Sequence, residues 1–108
     1  LFDSGARNSY VAPAIAKHFP IAKLNTVFEV KLGGELHKLN EVITVMAHIQ
    51  NKPLDFDAYV IDEIGTDDDG KKILILFGAL AMQKWGIKLD LRNEKLDLTH
   101  YSKEFLEF

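Results

Sequence analysis

Leu76-Phe77-Gly78-Ala79-Leu80-Ala81-Met82-Gln83-Lys84-Trp85-Gly86-Ile87-Lys88-Leu89-Asp90 is the stretch on which the fold turns. The apolar run 73–77 leading into it shows no alternation, as expected of a strand buried on both faces. Gly78 punctuates that run. Residues 79–85 carry Met82 and Trp85 at helical spacing, the pattern of a short helix packed on a sheet, and Gly86 suits its left-handed end. Ile87, Leu89 and Leu91 then alternate with Lys88 and Asp90. Leu96 and Leu98 alternate with Asp97 beyond the turn 92–95, which predicts a hairpin with one wet face.

Working back from this stretch, the same texture of short strands continues. Leu54, Phe56 and Ala58 alternate with Asp55, Asp57 and Tyr59, a half-buried strand that becomes continuous at Val60 and Ile61. A turn is expected at 51–53. Good β formers begin near Thr26, and Gly33-Gly34 is a two-residue hairpin signal with a return arm over 35–49. Residues 6–11 suit an extended segment. Pro13 suits the first turn of a helix, which continues over 14–19 until Pro20 stops it. Residues 65–72, with three successive aspartates, read as a solvated loop, and 99–108 fit a strand or a helical turn equally well. No internal repeat or linker interrupts the chain. The expectation is a single all-β domain over 1–108 with two short helices.

Composition narrows the function classes. The chain has 108 residues, 47% hydrophobic and 27% charged, with a formal charge of −3. That balance predicts no basic nucleic-acid surface, and no apolar run is long enough to span a bilayer. Cysteine is absent, which removes disulfide and thiolate chemistry. With no signal peptide in view, this suits a reducing compartment such as the cytoplasm. The chain begins at Leu1 without methionine, so it reads as an excised or processed piece.

The chemistry points to Leu1-Phe2-Asp3-Ser4-Gly5-Ala6. Apolar residues run into an acid, a small hydroxyl and a glycine, which is how a carboxylate is turned out of a strand into a cleft. Such a triplet alone is more often only a turn. Three features in order change this. The acid turn, the glycine-tipped hairpin Val30-Lys31-Leu32-Gly33-Gly34-Glu35-Leu36 and the 76–90 stretch together resemble the retropepsin-like, or retroviral-type, aspartic peptidases.

The resemblance implies an acid-protease fold, a closed barrel in one domain, whose usual strand ahead of the acid is missing here. It implies that Asp3 is the catalytic acid, with Ser4 bonding across a dimer and the Gly5 carbonyl receiving substrate backbone. Ala6 and Arg7 would border the substrate, Gly33 and Gly34 would close over it, and Leu76, Phe77 and Gly78 would buttress the turn. One chain offers one acid turn, and peptide hydrolysis by carboxylates needs two sharing a proton, so a homodimer is implied. No cofactor is. The family often has threonine where Ser4 stands and a polar or acidic residue where Arg7 stands. A cation there would act on the catalytic acid if it pointed inward, or favour acidic substrates. The competing expectation from another class is the same fold kept as an inactive dimerisation or peptide-binding module.

Other candidates reduce to plain structure. His18, His37, His48 and His100 are scattered without metal-ligand spacing. Placing Gly70 at the glycine of a calcium loop puts Gly65 and Leu76 where acids are required. Met82 and Trp85 suit a core better than a ligand wall. Ser4 and Ser9 lack a neighbouring histidine or a nucleophile elbow.

Overall fold

In the computed structural model, residues 1–101 are described, so most of the ambiguous 99–108 tail lies outside the described residues. Three long strands form a meander whose turns are set by residues at positive φ. β1 (Phe2–Asp3) and β2 (Ser9–Val11) precede it, followed by the helix α1 (Pro13–Ala16). Strand β3 (Ala22–Leu32) reverses at Gly33 and Gly34, at φ 60° and 82°, into β4 (Glu35–Ile49). Two successive positive φ values match the twist of the flanking strands, as the glycine pair predicted. β4 reverses again at Gln50 and Asn51, at φ 50° and 65°, into β5 (Lys52–Val60). The expected turn at 51–53 therefore sits earlier. Pro53 lies inside β5 opposite His48, and its carbonyl accepts the Tyr101 hydroxyl.

The strands at the two ends of the chain interleave. β6 (Ile75–Gly78) runs parallel to β1 on one side, with Phe2 opposite Phe77 and Asp3 opposite Gly78. On its other side it runs antiparallel to β2, with Tyr10 opposite Leu76. β2 in turn pairs parallel with β5, Ser9 facing Ala58. The resulting six-stranded sheet has the order β1-β6-β2-β5-β4-β3. Where a closed barrel was expected, β1 and β3 are the two ends of this order, and no ladder joins them among the described residues. β1 has two residues with which to pair, and among the described residues the later hairpin, β7 (Lys88–Asp90) with β8 (Lys95–Asp97), pairs only with itself.

Both helices are short, and each has a sequence reason for its ends. Pro13 opens α1 without a side-chain cap. The helix α2 (Ala79–Trp85) ends at Gly86, whose φ of 69° and ψ of 31° form a left-handed cap with N–H groups returning to Gln83 and Met82. A side chain at Gly86 is also excluded sterically, since a Cβ there would lie 2.0 Å from the His100 carbonyl oxygen. α1 stops at Ala16, short of the expected 19, because residues 17–19 continue as turns bonded to Pro13, Ile15 and Ala16.

The main core joins Val11, Ile43, Val45, Leu54, Phe56, Phe77, Met82, Trp85 and Ile87. Trp85 is fully buried, stacks on Tyr101 at 5.9 Å and donates its indole N–H to the Asp55 carbonyl at 2.6 Å. Phe77 meets Phe2 and Phe56 edge-on at 5.3 and 4.9 Å. The strand carrying the acid is thus anchored by an aromatic ladder into the same core as α2.

Candidate active site

The acid turn is built by passing one loop over the end of another strand. β1 and β2 flank β6, so residues 4–8 must cross above Gly78 to connect them. The crossing is close enough that a Cβ on Gly78 would lie 2.1 Å from the Asn8 carbonyl oxygen and 2.9 Å from that of Ala6. Only glycine fits beneath the loop.

The loop and α2 satisfy each other. The first N–H groups of a helix have no partner within it, and Gly78 supplies no side-chain cap. Instead Ala79 N–H donates to the Ala6 carbonyl at 2.7 Å and Leu80 N–H to the Arg7 carbonyl at 3.0 Å. Below them the buried Ser9 hydroxyl accepts Gly78 N–H at 3.0 Å, and Phe77 N–H donates to Leu1 carbonyl at 2.7 Å. Four hydrogen bonds therefore pin residues 1–9 to 77–80.

At the tip, Asp3 is half-buried and its Oδ1 accepts Gly5 N–H at 2.9 Å, while Ala6 N–H returns to the Asp3 carbonyl at 3.3 Å. This fixes the carboxylate against its own turn and leaves Oδ2 available to a solvent molecule or substrate. Ser4, Gly5 and Arg7 are exposed, and Ala6 is half-buried. Among the described residues, no group of three or more His, Asp or Glu side chains is placed to hold a metal ion.

No protein-family model and no curated protein matches this sequence. Among solved structures, the chain is similar to the crystal structure of the retroviral protease-like domain of Ddi1 from Leishmania major. The TM-score is 0.59 at 18% identity, covering 90% of this chain and 74% of that one. The fold is retropepsin-like.

Within this retropepsin-like domain, Asp3, Ser4, Gly5, Ala6 and Arg7 form one contiguous turn, braced by the Leu76, Phe77 and Gly78 strand. Gly33 and Gly34 stand apart at the exposed tip of the β3–β4 hairpin, where a Cβ on either would meet nothing within 4 Å. No hydrogen bond joins that tip to the acid turn among the described residues. Sequence reasoning missed Ser9. Set aside as a nucleophile, it proves to be a buried brace for the site, and its only local sign is a small hydroxyl at the head of an apolar strand.

Proposed function

We propose that this chain is an aspartic endopeptidase that works as a homodimer, with Asp3 from each copy forming the catalytic pair. The observation that carries this reading is the position of Asp3 within a retropepsin-like fold. It sits on a turn clamped by hydrogen bonds to 77–80, with one carboxylate oxygen held by Gly5 N–H. In the pair, one carboxylate takes a proton from water as that water attacks the scissile carbonyl carbon, and the protonated partner donates to the carbonyl oxygen. The first carboxyl then passes its proton to the leaving nitrogen, the partner takes back the hydroxyl proton, and collapse of the tetrahedral intermediate breaks the C–N bond to release an amine and a carboxylic acid. Ser4 braces the two turns, Gly5, Ala6 and Arg7 border the peptide, and the Gly33-Gly34 tip closes over it.

A second copy is supported by an apolar surface beside β1. Leu91 is 81% exposed and lines, with Phe2, Leu89 and Leu96, an open groove of about 340 Å³. An apolar surface of this kind next to the turn is suited to burial against another protomer. The test is Asp3→Asn, assayed against a peptide library from mildly acidic to neutral pH alongside its mass by light scattering. The amide keeps the shape but cannot pass the proton, so activity should vanish while the dimer persists. Full activity in Asp3→Asn would overturn the mechanism. Inactivity of the unmutated dimer as well would favour a peptide-binding or dimerisation module on the same fold.

A further inference from the structure

The second half of β4 has a neighbouring strand on one side only. β5 pairs with it from Ile43, opposite Ala58, to Ile49, opposite Lys52. β3 reaches no further along it than Ala22, opposite Val42. Residues 43–49 therefore present a free edge, bounded at one end by Ala22 and at the other by the turn at Gln50 and Asn51. Which backbone groups line that edge follows from β5. Pro53 has no N–H to give to a ladder, and its carbonyl and that of Asp55 accept the Tyr101 hydroxyl and the Trp85 indole N–H. Residues 53 and 55 thus turn away from β4. In an antiparallel pair so do their partners, His48 and Met46, and the alternation adds Thr44, opposite Asp57. The N–H and C=O groups of Thr44, Met46 and His48 point out of the sheet, and no backbone hydrogen bond closes them among the described residues.

Free edges are usually blunted by a charge, a proline or a bulge. This one is not. Ile43-Thr44-Val45-Met46-Ala47-His48-Ile49 contains no lysine, arginine, aspartate, glutamate or proline. Its inward side chains belong to the main core or pack on it, and outward-facing Met46 is 81% exposed. We propose that this edge pairs, antiparallel and about a two-fold axis at Met46, with the same edge of a second copy. The length and the ends of the run single out this occupant. In that register Met46 faces the partner's Met46 and Thr44 faces the partner's His48. The three outward-pointing residues of each copy then meet and exchange about six backbone hydrogen bonds. Ile43 comes opposite the partner's Ile49 and Val45 opposite the partner's Ala47, which carries the apolar inner face across the axis. Where one strand is closed off by Ala22, the partner's chain has already turned away at its own 50–51 turn. No like charges are opposed. The inference is independent of the peptidase reading. β1 ends the sheet on the far side of β6, β2 and β5, so this edge is separate from the Leu91 surface. Two different two-fold contacts on one protomer would link pairs into larger assemblies.

The test is made on the full chain carrying Leu91→Glu, which weakens any contact through the other surface. Amide hydrogen exchange is followed from about 1 µM to about 1 mM protein. With rising concentration the N–H groups of Thr44, Met46 and His48 should slow at least about threefold, while those of Val45 and Ala47, already bonded to β5, stay unchanged. Met46→Lys and Met46→Glu, added separately to that chain, each set two like charges side by side at the axis. Each variant should remain monomeric by light scattering over the same range. Mixed in equal amounts they should form a mixed dimer, because lysine then faces glutamate, and that recovery also shows both variants to be folded. Exchange at the three positions that ignores concentration, as expected if the edge were kept for a foreign extended peptide, overturns the inference. Self-association that persists in both variants, or a mixture that stays monomeric, overturns it as well.

Discussion

Gly78 and Asp3 lie opposite each other in register, and the bare Gly78 makes room for residues 6–8 of the loop that follows the acid. Gly78→Ala would drive a methyl into the Asn8 carbonyl, so the acid loop must lift. A cost on the order of 3 kcal/mol is expected, as for overpacking a rigid site, read as a lower urea midpoint at unchanged slope. Gly34→Ala meets no neighbour and is penalised only through its φ of 82°, so about 1 kcal/mol is expected in the same measurement. At this scale the turn at Asp3 was legible because acid, hydroxyl and glycine form a compact local pattern. Ser9 was not, because its function as a brace depends on Gly78, 69 positions along the chain. No local pattern carries that distance.

The elements differ in how firmly they are held, and the β7–β8 hairpin has its own acid sensitivity. Asp90 is held below the ordinary aspartate value of 3.8 by hydrogen bonds from the Asn93 side chain and backbone. Asp97 is held below it by Thr99 in the same way. A carboxyl depressed on folding contributes stability above its unfolded value and loses it as pH falls through the folded one. The hairpin amides should therefore lose exchange protection below about pH 4 while Val11 and Ile43 keep theirs, and Asp90→Ala should weaken the hairpin already at neutral pH. Protection of the hairpin and core lost together would contradict this. The Gly33-Gly34 tip should show the lowest backbone order parameters among the described elements without ligand, since nothing packs on it. α2 was legible to its ends because Gly78 and Gly86 bracket an apolar pair. The end of α1 and the start of β2 were not, since residues 6–11 have no alternation, and pairing with β5 and β6, not pattern, begins the strand at Ser9.

For the whole molecule, the proposed dimer makes the first testable claim. Specific activity should rise with protein concentration until the dimer saturates. Leu91→Glu should raise the dissociation constant of the proposed dimer at least about tenfold, as expected for losing one leucine buried between the copies, measured by light scattering across a dilution series. A mass independent of both concentration and this substitution would argue against the Leu91 surface. Strand content was readable from alternation, but the order of the sheet was not. Periodicity says which face of a strand is apolar and nothing about which strand lies beside it, so the expected barrel gave way to an open order with β6 between β1 and β2. That interleaving has a consequence for synthesis. The acid turn is made well before its braces, since Gly78 bonds to Ser9 from 69 positions away and the loop to 77–80, so those bonds form only once that later segment has emerged. Such non-local closure makes folding slow and late. The nascent chain thus carries its acid in an unbraced turn, and whatever chemistry the site performs waits until residues 77–80 have folded beneath it.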